Sequence, residues 1–295
     1  MALAARPLHP LFVAEVAGAE LRTARSRALL DEIVALLDRY AVLVFRDQPF
    51  TDAEQTAFAR SLDGDLVMKV GRTVIDDAAR LTEPGITDIS NLDANERIID
   101  RGDRRRMYAL GNRLWHTDAS FQEPGARYSM LSAKEVPQRG GETEWADMRA
   151  AYEALPDTLK DEIAELRAFH SIIYSRATIG FTDFSEREIA EFPGAEKPIV
   201  RVHPGSGRTS IYVASHAERV IGRPVPEGRL LLRELMALAT LPQFVYRHRW
   251  HVDDFVIWDN RCTMHRGLAF DETTQRRDLR RVTTLDVERG QVSAA

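Results

Sequence analysis

A chain of 295 residues, 44% hydrophobic and 29% charged, has the make-up of a globular protein and is long enough to bury a substantial core. Its formal net charge of −5 argues against nucleic acid as a main partner, because phosphate binding rests on a basic surface. No apolar run reaches the roughly 18 residues of a membrane span. The opening "MALAARPLHP" lacks a charged start and a long apolar stretch, so no secretory leader is expected. The one cysteine, Cys262, cannot close an internal disulfide, which makes a reducing cytoplasm the expected compartment.

In chain order, "LFVAEV" (11–16) and "AVLVFR" (41–46) read as strands, and between them 26–40 carries apolar residues at helical spacing. Thr51 and Glu54 stand at capping-box spacing and predict a helix over 51–62. After about residue 85 the chain becomes strand-rich: "GITDISNL", "RYSMLSAKEV", "KPIVRVHP", "TSIYVAS", "QFVYRHRW", "DFVIWD" and "DLRRVTTLD" are short, β-branched or aromatic, and separated by turn residues. Helices are expected near 147–168, with Pro156 at a first helical position, and near 227–240. Loops or lids are expected at 65–84 and 174–196. With no repeat and no Pro/Gly/Ser-rich linker, residues 1–295 read as one domain. The mixture predicts an α+β fold, a β-sandwich or jelly-roll barrel with helices packed outside.

The stretch "LWHTDASFQ" (114–122) sets His116 and Asp118 two apart, and on a strand such residues share a face. The spacing alone is weak, because His251-x-Asp253 and His216-x-Glu218 repeat it in the same chain. Context separates them. "HVDD" (251–254) lies between two strands and reads as a hairpin turn with solvated acids, whereas His116 sits among Leu114, Trp115 and Phe121. His265, just after "DFVIWD" and a tight turn, is the candidate third ligand. Two histidines and a carboxylate form a facial triad for iron(II), with positions left open for dioxygen; zinc in the same donors would favour hydrolysis. Downstream, "QRRDLRRVTTLD" puts Arg277 and Arg281 on one strand face and Arg276 and Arg280 on the other. One pair would point inward, where a guanidinium can grip a carboxylate with two parallel hydrogen bonds. Trp115, Trp258 and Cys262 read as core residues, with Cys262 packed beneath the metal.

These stretches, together with "RPLHPLF", "ARYSMLSA", "GGETEWADMRAAYEALP", "FVYRHRW" and "WDNRC", resemble the iron(II)/2-oxoglutarate-dependent dioxygenases of the taurine dioxygenase family, most of all the 2,4-dichlorophenoxyacetate dioxygenases. The resemblance covers almost the whole chain. It implies a double-stranded β-helix (jelly-roll) core, with Fe(II) held by His116, Asp118 and His265, and 2-oxoglutarate and dioxygen as cosubstrates. It further implies that Thr143 and Arg277 hold the distal carboxylate of 2-oxoglutarate. Lys69, Asn112, His216 and Arg281 are then expected to face a small anionic aromatic substrate. The implied reaction hydroxylates the carbon beside the ether oxygen of an aryloxyacetate, giving a phenol, glyoxylate, succinate and CO2. Taurine or another alkylsulfonate, or a phenoxypropionate, would suit the same anion pocket; a zinc hydrolase or a non-catalytic metal-binding β-barrel is the more distant alternative. No nucleic-acid or membrane partner is expected, and self-association as a homo-oligomer is left open.

Overall fold

The computed structural model describes residues 3–68 and 80–287. The chain starts with β1 (Ala4–Pro7), β2 (Ala14–Ala17), α1 (Arg27–Tyr40), β3 (Val42–Phe45), α2 (Asp52–Asp63), β4 (Thr87–Ser90) and α3 (Arg104–Ala109). It continues through β5 (Ala126–Glu135), β6 (Thr143–Asp147), α4 (Met148–Glu153), α5 (Asp157–Ile163), β7 (Arg167–His170), α6 (Ile172–Ala177) and α7 (Glu186–Glu191). The remainder comprises β8 (Ala195–Pro198), β9 (Val200–Val202), β10 (Thr209–Ile211), β11 (Ala217–Val220), α8 (Val225–Ala239), β12 (Val245–His248), β13 (Phe255–Asp259), β14 (Thr263–Gly267) and β15 (Asp278–Leu285).

Local chemistry sets several boundaries. The Thr51 hydroxyl accepts from Glu54 N while the Glu54 carboxylate accepts from Thr51 N, so the predicted capping box starts α2. α1 ends where Ala41 turns to φ 60°, which releases the chain directly into β3. Other expectations are revised. Only Ala14–Ala17 of the first run is strand, because Val13 sits at φ 67° and breaks the extended path before it. The expected loop at 174–196 holds the end of α6 and all of α7, the latter started by a Ser185/Glu188 capping box. Pro156 is the residue before α5 rather than its first turn.

Seven strands form one sheet in the order β1-β2-β3-β13-β5-β15-β4, and β12-β6-β14 form a second. Period-two alternation sorts their side chains. On the large sheet Leu43, Phe45, Met130, Phe255, Ile257 and Val282 pack outward against Leu37 of α1 and Phe58 of α2. Their alternates, Val42, Val44, Leu131, Val256, Trp258 and Leu279, point the other way and meet Trp145 of the small sheet. Both faces are therefore dry, which explains uninterrupted apolar runs such as "VLVF". Burying each such side chain stabilises the fold by about 1.5–3 kcal/mol before chain entropy is counted. On the small sheet Ala146 and Met264 face a separate cluster with α4 and α8, so their neighbours Trp145 and His265 face the space between the sheets. Leu279 is in that interior, and Arg281 two residues on shares its face. Sheet parity thus aims His265 and Arg281 at one place.

Candidate metal centre and its cleft

His116 and His265 face each other across a single antiparallel bridge. His116 N donates to the His265 carbonyl at 3.0 Å, and His265 N to the His116 carbonyl at 2.7 Å. The two ring centroids are 4.2 Å apart. Asp118 lies in a turn beyond this bridge, followed by Ala119 at φ 52°. The expected strand through both residues is therefore absent; one bridge and a turn bring the side chains together. Candidate ligand atoms of His116, Asp118 and His265 all lie within 4.8 Å of one another, and all three residues are buried.

Their surroundings fit a divalent metal. His116 Nδ1 is 2.7 Å from the Leu114 carbonyl, which can only accept, so Nδ1 carries the proton and Nε2 keeps its lone pair. His265 Nε2 lies 3.7 Å from Asp118 Oδ2. Burial pushes His116 down to about 4 and His265 well below the ordinary histidine value, so both rings are neutral at physiological pH. Burial disfavours the Asp118 carboxylate, but the Arg281 guanidinium, helped by the Ser129 hydroxyl, outweighs it and holds Asp118 below the usual range. Arg281 Nη1 donates to Asp118 Oδ1 at 2.5 Å, and Ser129 Oγ donates to Oδ2 at 2.7 Å. Asn260 braces this group from behind: its Oδ1 accepts from Asp118 N and from Trp258 Nε1, and its Nδ2 donates to Ser129 Oγ. Two neutral imidazoles and one carboxylate are the donor set of a facial triad.

The cluster opens into a cleft lined in part by His116, His265, Thr143, Arg277 and Arg281. Trp250 Nε1 donates to Thr143 Oγ1 at 3.0 Å, which leaves the hydroxyl proton free for an incoming acceptor. The Arg277 guanidinium makes only long hydrogen bonds, to the Gly141 carbonyl at 3.3 Å and the Ile89 carbonyl at 3.4 Å, and no salt bridge among the described residues, Glu272 acting on it only at longer range. Burial lowers its pKa to about 10, so it stays cationic at neutral pH. Arg276 and Arg280 turn away, Arg276 to Glu135 and Glu96, Arg280 to Asp52 and Asp278.

A second lobe, beside His116 and Asp118, is lined by Asn112, Phe121, Ile172, Arg176, His216 and Arg281, among others. His216 is buried, with Nδ1 3.0 Å from Ser120 Oγ and Nε2 without a partner. Asn112 Oδ1 accepts from Arg176 Nη2 at 3.3 Å. Lys69 lies outside the described residues. Arg176, Asn260, Ser129 and Ser120 were missed by sequence reasoning. For Asn260 the "DNR" turn was a signal; for Arg176, inside an expected loop, there was none.

Two expectations are corrected. Asp254 of "HVDD" is not solvated: its Oδ2 accepts from Arg46 at 2.6 Å and lies 3.0 Å from His248 Nε2, while His251 is exposed. Cys262 does not pack beneath the triad; it is buried in a separate group with His203 and Asp259.

Residues 4–283 match the family described as taurine catabolism dioxygenase TauD, TfdA family. The alpha-ketoglutarate-dependent 2,4-dichlorophenoxyacetate dioxygenase of Cupriavidus pinatubonensis is 47% identical over 289 residues, 97% of this chain and 99% of that protein. The (S)-phenoxypropionate/alpha-ketoglutarate-dioxygenase of Sphingobium herbicidovorans is 34% identical over 278 residues, 92% of this chain and 91% of that protein. The crystal structure of AAD-2 in complex with Mn(II) and N-oxalylglycine superposes with a TM-score of 0.94 at 43% identity, covering 98% of this chain and 99% of that one.

Proposed function

This chain belongs to the taurine catabolism dioxygenase TauD, TfdA family, and on that premise we propose that it is an iron(II)- and 2-oxoglutarate-dependent dioxygenase acting on aryloxyacetates. One observation carries the reading: the His116/Asp118/His265 cluster shares its cleft with Arg277, a buried guanidinium with no salt bridge among the described residues. A metal site beside such a cation suits a cosubstrate that chelates at one end and carries a carboxylate at the other.

His116, Asp118 and His265 would hold the metal. Iron(II), when bound with 2-oxoglutarate and dioxygen, supplies oxidative decarboxylation to succinate and CO2 coupled to hydroxylation of a substrate carbon. The protein's own part is placement. Arg277 and Thr143 fix the distal carboxylate of 2-oxoglutarate, Arg277 by charge and Thr143 by its free hydroxyl proton. Arg281 neutralises the Asp118 oxygen that faces away from His265 and sets the orientation of that carboxylate. Phe121 and Ile172 give the second lobe an apolar wall for an aromatic ring. His216 Nε2, Asn112 and Lys69 are assigned to the substrate side. Hydroxylation beside the ether oxygen yields a hemiacetal, which collapses to a phenol and glyoxylate. N-oxalylglycine, held with Mn(II) in AAD-2, is an isostere of 2-oxoglutarate and supports the same use of this cleft.

The reading takes 1–295 as one catalytic domain on a jelly-roll core, with an active-site segment near 174–196, working in the cytoplasm; the other expected segment, 65–84, lies for the most part outside the described residues. No helix among the described residues is long and apolar enough to cross a membrane. The test is a succinate assay with iron(II) and 2-oxoglutarate across aryloxyacetates, phenoxypropionates and alkylsulfonates. Aryloxyacetates are expected to give the highest kcat/KM, with equimolar phenol release. A preference for phenoxypropionates or sulfonates refutes the assigned substrate. Absence of a visible charge-transfer band after anaerobic addition of iron(II) and 2-oxoglutarate refutes the oxygenase.

A further inference from the structure

Ser120 is completely buried, and two histidines meet at its hydroxyl: His216 Nδ1 and His170 Nδ1 each lie 3.0 Å from Ser120 Oγ. The strand pair β7 and β11 sets this spacing. Ala217 stands opposite His170 in the register, and Ser171 N donates to the His216 carbonyl at 2.8 Å. The His216 ring packs edge-to-face against Phe121 and His116, while the His170 ring stacks on Tyr212. Neither Nε2 has a hydrogen-bond partner among the described residues. The two differ in what lies around them: His216 lines the second lobe of the cleft, and His170 lines neither lobe.

A hydroxyl carries one proton, so Ser120 can donate to only one of the two rings. If both rings donated to it, its own proton would be stranded in the core. The arrangement that uses every group has one Nδ1–H donating to Ser120 Oγ and the Ser120 hydroxyl donating to the other Nδ1. Burial pushes His216 well below the ordinary histidine value and His170 down to about 3, so each ring is neutral and carries one proton. The ring that donates through Nδ1 therefore keeps a bare lone pair at Nε2, and the ring that accepts carries an N–H there. His170 settles which ring is which. Its Nε2 is enclosed by protein, and the Lys197 ammonium is close enough to act on it. A buried N–H without an acceptor is the rarer state, and a neighbouring cation opposes a further positive hydrogen. The lone pair thus falls to His170 Nε2 and the proton to His216 Nε2. Within the lobe Arg176 pulls the other way, so the choice is imposed from behind the His216 ring.

We propose that His170 and Ser120 are positioning residues that hold His216 as its Nε2–H tautomer, so that it presents a hydrogen-bond donor to the second lobe. This rests on the dioxygenase reading above. An aryloxyacetate ion has only acceptor oxygens, ether and carboxylate, so an N–H at His216 Nε2 grips it where a lone pair would repel it. Neither His170 nor Ser120 lines the lobe, and both act on the substrate through His216 alone.

The tautomers are read directly by nitrogen-15 NMR of histidine-labelled wild type, loaded with zinc(II) and 2-oxoglutarate. The expected spectrum has His216 protonated at Nε2 and His170 at Nδ1. His216 protonated at Nδ1 overturns the proposal without recourse to any variant. Kinetics then compare His170→Phe, which removes the donor to Ser120, with His170→Asn, whose amide N–H can replace it. In His170→Phe the Ser120 hydroxyl is freed to accept from His216 Nδ1. The KM of an aryloxyacetate should then rise about 10- to 150-fold, the worth of one hydrogen bond to a charged group. The 2-oxoglutarate dissociation constant should stay within about twofold, and His170→Asn should restore the KM to within about threefold of wild type. An unchanged KM in His170→Phe overturns the proposal. So does an equal loss in His170→Phe and His170→Asn, or a parallel loss of 2-oxoglutarate affinity, since either marks a merely structural role. Should the wild type turn over no aryloxyacetate, the substrate reading fails, while the spectrum still decides the tautomer.

Discussion

Replacing Arg277 by methionine isolates the cosubstrate carboxylate contact. The substitution keeps an unbranched apolar stem and removes the guanidinium. Within the protein that group makes only two hydrogen bonds, at 3.3 and 3.4 Å, to backbone carbonyls. Their loss costs about 0.5–1.5 kcal/mol each at most, and no acid is left stranded, so the fold should survive. Toward 2-oxoglutarate the position is different. Taking away one partner of a buried charge pair costs roughly 2–5 kcal/mol, equivalent to a loss of affinity from about 30-fold to a few thousandfold. The KM for 2-oxoglutarate, and its dissociation constant from anaerobic titration of the charge-transfer band, should both rise by that amount. Arg276→Met is the control, since Arg276 is tied to Glu135 and Glu96 at the surface; less than a twofold effect is expected. A change under threefold in Arg277→Met, or a large loss in Arg276→Met, would refute the assignment of faces on β15.

Asp118→Ala should abolish iron binding and substrate-dependent succinate formation. It should also destabilise the apoprotein by about 3–5 kcal/mol in urea unfolding, because Arg281 loses its buried partner; Asp118→Asn should cost less. Thr143→Val removes the hydroxyl that accepts from Trp250 and is assigned to 2-oxoglutarate, so the 2-oxoglutarate KM should rise several-fold with kcat on the acid little changed. His170 is fully buried, and burial, with Lys197 adding to it, pushes its pKa down to about 3. An unfolded histidine binds its proton near 6.5, so the stability this residue contributes is full above that value and lost as pH falls toward 3. The melting temperature should drop between pH 6.5 and 4, and His170→Gln should flatten that slope; an equal slope in both proteins contradicts the argument.

Much of this arrangement was legible from periodicity and local chemistry. The Thr51/Glu54 box and the alternation in "RRVTTLD" act over a few residues, so the sequence alone could express where α2 starts and which arginines share a face. β6 and β14 were less visible: "TEWAD" and "TMHRG" are short and poor in β-branched residues, and become strands because they pair with each other. The burial of Asp254 could not be foreseen, since Arg46 arrives from 208 positions away. Arg176 was hidden for the same reason. Its position depends on Tyr108, Gly111 and Asn112, which meet it only when the chain folds. His116 and Asp118 stood out by composition, but what joins them is a bridge to His265, not a strand of their own.

The grip of Arg281 on Asp118 has a consequence for coordination number. Arg281 at Oδ1 and Ser129 at Oδ2 fix the orientation of the carboxylate, and the guanidinium charge makes Oδ1 the poorer donor, so Oδ2, the oxygen nearer His265, is the one that would bind a metal. Each of the three residues would then offer one donor atom, and a bound ion would have positions to spare for a two-point chelator and a diatomic guest. An arginine that is not itself a ligand would in this way bear on how many reactants the ion can hold at once.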